Sequence, residues 1–363
     1  MLFRSQDPAL AKTSAERSFI EQYKQAVQEA SAGLAVESFE RLQSQGAVIE
    51  CGVGEQQERL ASHYLALACN DESTVVVAQT WSEIRKVNES VRDALKRAGL
   101  IGVREHAMTT LEAVDLTDAQ KRDARSYEPD GVLVFNRDTS GFRKGQRGRL
   151  LAMSRDAIVV EADNKIREVA FAQLDRLTIC RERETVLSIG DRLQLKANAK
   201  TREGRPLANG ELVTVARIED DGRIVLQDGR TLESSYRQFV RGYAVTSYAS
   251  QGKTVDYVLF SDSAVQAATN RQQWYVTISR GRKGVRIFTA DKEQLRENIA
   301  RSGDRELALD LTRPRQSKRQ RLRRGLTIGL TRGRQLAATI CHRIAALASR
   351  MRANAARREV SVP

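Results

Sequence analysis

The sequence predicts an α/β protein in which a parallel sheet is interrupted by a small β-barrel region, or a pair of barrels, and followed by a basic, partly helical tail. Three observations carry this reading. Residues Ser73–Gly99 spell an apolar, β-branched run, a tight turn and a capped helix, which is the βα unit of a parallel sheet. From Gly131 to about Ser235 the apolar period falls to two, the period of half-buried strands. After Gly242, short apolar runs with short connections return, so the β-rich stretch lies inside the α/β unit.

The elements follow in order. Thr13-Ser14-Ala15-Glu16 has the capping-box pattern, in which a hydroxyl and a carboxylate satisfy each other's free backbone N–H groups, and Phe19, Tyr23 and Val27 continue at helical spacing. A second helix is expected to end at Gly46, which can adopt the left-handed cap, before a strand at Ala47–Glu50. Ser73–Ala78 is the next strand, and Thr80 opens a helix whose apolar stripe is Ile84, Val87, Val91 and Leu95. Short strands are predicted at Gly131–Phe135, Arg149–Met153, Ala157–Glu161, Ile166–Ala170 and Asp191–Ala197. Asp221-Gly222, between Val215–Glu219 and Arg223–Leu226, reads as a two-residue hairpin with both residues at positive φ. Gly242–Thr246, Asp256–Ser261, Gln273–Ile278 and Val285–Thr289 read as buried strands. The expected divisions are 1–128 and 237–305 for the α/β lobe, 129–236 for the β insertion and 306–363 for the tail.

Charge is unevenly placed. The formal net charge is +14 over 363 residues. Thr312–Pro363 holds 14 Lys or Arg and one acid, Glu359, which leaves Met1–Leu311 with 46 basic against 45 acidic residues. Such a tail argues for a polyanionic partner, nucleic acid before an acidic membrane surface. Self-repulsion predicts disorder for Arg313–Arg324, whereas Leu336, Ile340, Ile344, Leu347 and Met351 recur at helical spacing. No run of 18 apolar residues and no signal-peptide core is visible, so the chain reads as soluble and cytoplasmic. Four scattered cysteines and three histidines give neither zinc spacing nor a disulfide framework, and no metal site is expected.

Gly252-Lys253-Thr254 invites comparison with a phosphate loop and fails it. The loop needs a further Gly at position 247, where Ser247 stands, and it should open a helix, whereas Val255–Phe260 reads as strand. Gly141-Phe142-Arg143-Lys144-Gly145-Gln146-Arg147 is a basic, glycine-rich loop. It is either a solvated hairpin loop or a nucleic-acid contact, with Arg143, Lys144 and Arg147 on phosphates and the aromatic stacked on a base. Trp81 and Trp274 border apolar runs and read as packing residues; His342 receives no role.

Thr246-Ser247-Tyr248-Ala249-Ser250-Gln251-Gly252-Lys253-Thr254 and Trp274-Tyr275-Val276-Thr277-Ile278-Ser279-Arg280-Gly281-Arg282 resemble motifs V and VI of superfamily 1 helicases of the RecD-like branch. The closer match is to the helicase half of MobF-class conjugative relaxases. Thr74–Gly99, with Gln79-Thr80, Asn88 and Arg92, resembles their motif IV region, and Phe3-Arg4-Ser5-Gln6-Asp7-Pro8 resembles the segment opening the second motor lobe. Tyr248 stands where that family usually has His. The resemblance spans roughly residues 1–300 and implies a second RecA-like lobe with an inserted SH3-like barrel. It implies Arg280 as an arginine finger, with Arg4 as a second γ-phosphate contact, a contribution worth ~10³–10⁵ in rate in such motors. Gln251 and Gly252, which with Arg282 are the implied nucleotide-binding residues, would link nucleotide state to the DNA track, where Ser247, Ser250 and Thr254 offer hydroxyls to phosphates; a plain turn between two strands is the alternative. The lobe carrying the phosphate loop and Mg²⁺ carboxylate is not in this sequence, so ATP and Mg would be bound only if a first motor lobe completed the site. Single-stranded DNA is the implied partner; either the gene is truncated or split, or a separate chain supplies the missing lobe. A nucleic-acid-binding or assembly module without ATP turnover is the alternative.

Overall fold

The computed structural model describes residues 6–52, 54–114, 116–127, 131–262 and 269–301. The tail therefore lies outside the described residues, as does Arg4.

The capping box at Thr13 forms as the sequence predicts: the Thr13 hydroxyl accepts from the Glu16 amide while the Glu16 carboxylate accepts from the Thr13 and Lys12 amides. It starts α1 (Ser14–Ser31), which is followed by α2 (Ala35–Ser44) and a turn through Gly46 at φ +67°. Then come β1 (Val48–Glu50), α3 (Gln56–Cys69), β2 (Thr74–Ala78) and α4 (Trp81–Arg97). Thr80 caps α4 by accepting from the Glu83 amide at 3.2 Å, and Ile84, Val87, Val91 and Leu95 are buried along it.

The chain next enters antiparallel structure: β3 (His106–Ala113), β4 (Val132–Phe135), β5 (Arg147–Met153), β6 (Ala157–Ala162), β7 (Lys165–Ala170) and β8 (Leu177–Leu187), then β9 (Arg192–Leu195), β10 (Ala199–Lys200), β11 (Pro206–Leu207), β12 (Leu212–Ile218), β13 (Ile224–Leu226), β14 (Thr231–Leu232) and β15 (Phe239–Arg241). These build two main sheets, ordered β3-β8-β4-β5-β6-β7 and β14-β13-β12-β9-β15, each with its own apolar cluster. Antiparallel pairing thus runs from His106 to Arg241, a wider span than the 129–236 expected, because β3 pairs with β8 along its whole length.

The α/β part resumes with β16 (Ala244–Thr246), α5 (Ser247–Ser250), β17 (Val255–Asp262), α6 (Arg271–Ile278), β18 (Gly281–Thr289) and α7 (Lys292–Ala300). Strands β1-β18-β17-β2-β16 form one parallel sheet in that order. Alternate residues feed opposite faces: Val75 and Val77 pack with Phe260 and Ile287 beneath α1, α2, α6 and α7, while Val76, Leu259 and Phe288 pack beneath α3 and α4.

Two local expectations are corrected. Gln273–Ile278 is helix, not strand, because Asn270 caps it by accepting from the Gln273 amide at 3.0 Å and the parallel pair β17 and β18 needs a crossover between its members. At Asp221-Gly222 only Gly222 has positive φ, +82°. Its amide donates to Glu219 O at 2.9 Å, closing a three-residue loop. The two-residue turn with both φ values positive occurs instead at Asp163-Asn164, between β6 and β7.

Candidate functional site

Two loops singled out by sequence meet at the edge where β17 and β18 begin. Val255 is in register with Gly281, and its amide donates to Arg280 O at 3.1 Å. The first loop descends from α5, capped by Thr246, which accepts from the Ala249 amide at 3.1 Å. It turns through Gly252 at φ +81°. Gln251, Gly252 and Thr254 are exposed. Ser247 and Ser250, expected to offer hydroxyls to phosphates, are buried, and this is a correction of geometry: Ser250 Oγ donates to Ser247 O at 2.6 Å, and Ser247 Oγ faces Gln79 Oε1 at 3.5 Å. Tyr248 between them is 77% exposed. Lys253 reaches back to the Gly210 carbonyl and the chain continues as strand, so this Gly-Lys-Thr is not arranged as a phosphate loop.

The second loop is held from three sides. Trp274 is fully buried, its indole N–H donating to Ser38 Oγ at 3.1 Å, and it fixes α6 against the sheet as its packing role predicts. At the end of α6 the half-buried Arg280 donates from Nε to Val276 O at 2.8 Å and from Nη2 to Ser279 Oγ at 2.9 Å. Gln6 Nε2 donates to Gly281 O at 2.8 Å, and the Tyr23 hydroxyl donates to Ile278 O. Burial pushes the Tyr23 phenol well above its ordinary range, against the pull of the Gly281 backbone and the Arg280 charge. A Cβ on Gly281 would sit 2.4 Å from Gly284 O and 2.7 Å from the Tyr23 hydroxyl, so this close approach requires glycine. Arg282 is paired with Asp256 at 2.8 Å, and Asp256 also accepts from the Ser73 amide at 2.9 Å and hydroxyl at 2.6 Å. Burial opposes the Asp256 charge, but the Ser73 hydrogen bonds and the Arg282 and Lys283 charges outweigh it and hold the carboxyl below its usual range.

Away from this edge, the side chains of the motif IV region tie elements together. Asn88 Oδ1 accepts from the Tyr243 and Ala244 amides, both at 3.0 Å. Arg92 donates from Nε to Asp191 at 3.0 Å and from Nη1 to Glu105 at 3.0 Å, with Asp191 fully buried. In the basic loop Arg143 and Lys144 are exposed, while Arg147 donates to the Ser235 carbonyl. Phe142, which the nucleic-acid reading of the loop would stack on a base, is buried against Phe135 with ring centroids 4.5 Å apart, because the loop folds its one aromatic into the core of its own sheet. Trp81, read as a packing residue, is 40% exposed at the first position of α4. Sequence reading gave no role to Gln6, Tyr23 or Asp256; Gln6, inside the segment quoted around Arg4, and Tyr23, in the apolar stripe of α1, carried a signal, and Asp256 carried none. Among the described residues no group of three His, Cys, Asp or Glu could hold a metal, and no helix is long and apolar enough to cross a membrane.

No protein-family model matches the chain. The chain is 19% identical over 261 residues to the multifunctional conjugation protein TraI of Escherichia coli, covering 67% of this chain and 14% of that protein. TraI of Escherichia coli strain K12 is 26% identical over 175 residues, covering 47% of this chain and 10% of its own length. The chain therefore spans a small part of the curated relatives that it matches. Among solved structures, the Pif1 helicase from Bacteroides in complex with ADP-AlF3 and ssDNA is similar at 14% identity and a TM-score of 0.28, over 80% of this chain and 53% of that one.

Proposed function

We propose that the chain is the arginine-bearing second lobe of a helicase-type DNA motor working in conjugative DNA transfer. The observation that carries this reading is the hydrogen bond from the Val255 amide to Arg280 O, which couples the Gln251–Thr254 turn to the arginine turn on one sheet edge. The resemblance of both loops to motifs V and VI and the similarity to TraI support it.

In this reading ATP is hydrolysed between two lobes. Water attacks the γ-phosphorus, the bond to the β–γ bridging oxygen breaks, and Arg280, with Arg4, neutralises the charge that develops on the transferring group. Mg²⁺ and the phosphate loop belong to the first lobe, so ATP and Mg are cofactors only of the completed motor. Arg280 must release Val276 O and Ser279 Oγ to reach a phosphate. Two hydrogen bonds worth about 0.5–1.5 kcal/mol each are a small barrier beside the roughly 10³–10⁵-fold effect of such a finger. Gln251, Gly252 and Arg282 relay nucleotide state to the track, Arg282 through Asp256 and Ser73. Exposed Thr254, Arg143 and Lys144 contact DNA phosphates directly; Arg147 does so after leaving Ser235, and Ser247 and Ser250 shape the turn from inside.

The engagement of Arg280 and Arg282 with the protein's own acceptors favours one second reading, a nucleic-acid-binding or assembly module without turnover. Complementation separates the two. Alone, the chain should hydrolyse ATP at background with single-stranded DNA; mixed with a separately produced first motor lobe, it should restore DNA-stimulated hydrolysis. Arg280→Ala should then lower turnover by roughly 10³-fold or more with little loss of DNA binding. Equal loss of both, or no restored turnover, leaves the second reading.

A further inference from the structure

The junction between α4, which belongs to the motif IV region, and the antiparallel sheets holds a cleft to which no ligand has yet been assigned. It is open to solvent, with Trp81, Ile84, Leu187 and Phe239 among its walls. Its rim is cationic. Arg85 and Arg183 share a single carboxylate, Glu112, at 2.7 and 3.2 Å, and Glu89 is the other acid on the lining. Arg241 makes no ion pair among the described residues and donates only to Val186 O, at a long 3.4 Å. Beside the cleft, the Lys196 ammonium lies over one face of the Trp81 ring, 4.7 Å from its centroid, so a base stacking on that face displaces it.

We infer that this cleft takes one unstacked nucleobase of a single-stranded DNA, with Trp81 as the stacking platform and Arg183 and Arg241 beside the flanking phosphates. The inference rests on the DNA-binding reading above and adds to it the class of group held and the residue that holds it. A planar apolar body belongs against an indole and an aliphatic floor, and an anion belongs at a rim where cations outnumber carboxylates; a nucleotide carries both. The location agrees: Gln79, two residues before Trp81, is the partner of Ser247 at the head of the Tyr248–Thr254 loop, so the cleft continues the proposed track. A polar acidic peptide would satisfy the rim and leave the indole uncovered.

The protein has two tryptophans, and Trp274 is fully buried, so quenching of its fluorescence by a ligand reports Trp81. The full chain would be titrated with an oligothymidylate, an abasic oligonucleotide of equal length and charge, and a polyglutamate peptide. Oligothymidylate should quench strongly and the other two weakly. Trp81→Ala should weaken oligothymidylate binding by about 10-fold or more, Trp81→Phe by less, and neither should change abasic binding. Because Trp81 is exposed at a helix start, these variants are expected to keep the wild-type unfolding midpoint. Equal weakening on both oligonucleotides, or tight oligothymidylate binding without quenching, overturns the pocket and leaves DNA binding in place. Failure of the wild type to bind either oligonucleotide overturns DNA binding as well, and quenching by polyglutamate alone overturns the choice of ligand.

Discussion

Asp256 carries three interactions on one carboxylate, two from Ser73 and one from Arg282. Its folded pKa is held below the ordinary value, so the stability it contributes is present above the unfolded carboxylate pKa and is lost as pH falls through the folded one. Asp256→Asn should therefore be less stable than the wild type near pH 6, and the gap should narrow as pH falls toward about 3. Urea midpoints of the two proteins across that range test this; a gap that stays constant with pH would show that the carboxylate's charge is not what matters. Residues of this kind were illegible beforehand. Nothing about the sequence Val-Asp-Tyr marks Asp256 as the partner of Ser73, which is 183 positions away. The same ignorance of direction misplaced Ser247, Ser250 and Phe142: the sequence displays a hydroxyl or a ring, and packing decides whether it faces solvent or core.

Elements were legible where period and cap agreed. The stripe of α4 and its Thr80 cap, the capping box of α1 and the alternating strands β6 and β12 each repeat one signal several times. Arg271–Ile278 lacked that redundancy, since a short run of aromatic and β-branched residues fits a buried helix as well as a buried strand. The crossover requirement, visible only once β17 and β18 are paired, settles it as helix. How elements dock was likewise unreadable. Arg92 joins α4 to the loop before β9 through Asp191, which also accepts from the Tyr243 hydroxyl at 2.8 Å and the Ser188 amide at 2.7 Å. Burial disfavours the Arg92 charge, yet Asp191 and Glu105 more than compensate and raise its pKa. Arg92→Ala leaves a fully buried carboxylate without its cation and should cost about 3–5 kcal/mol in chemical unfolding. A loss under about 1 kcal/mol would mean that the Ser188 and Tyr243 donors suffice for Asp191.

For the whole molecule, the sequence determines where charge sits along the chain more securely than what it touches. Met1–Leu311 is nearly neutral, and the surplus of basic residues belongs to Thr312–Pro363, outside the described residues. The cationic loop and cleft are local features of a balanced body, and a balanced body alone attracts a polyanion weakly over distances beyond a Debye length, about 8–10 Å at ordinary ionic strength. In the proposed reading, long-range attraction to DNA is assigned to the tail. If the tail binds single-stranded DNA, affinity should fall with the logarithm of salt at a slope of ~−0.7 per phosphate neutralised. Deleting Thr312–Pro363 should flatten that slope by several units, while the unfolding midpoint and the Trp81 quenching amplitude at saturation stay as in the full chain. The titration would run in parallel against anionic vesicles at matched salt. An unchanged slope after the deletion, or tighter binding of the full chain to vesicles than to oligonucleotides, would assign the tail to a partner other than DNA and leave attraction to the track to Arg143, Lys144 and the rim of the cleft.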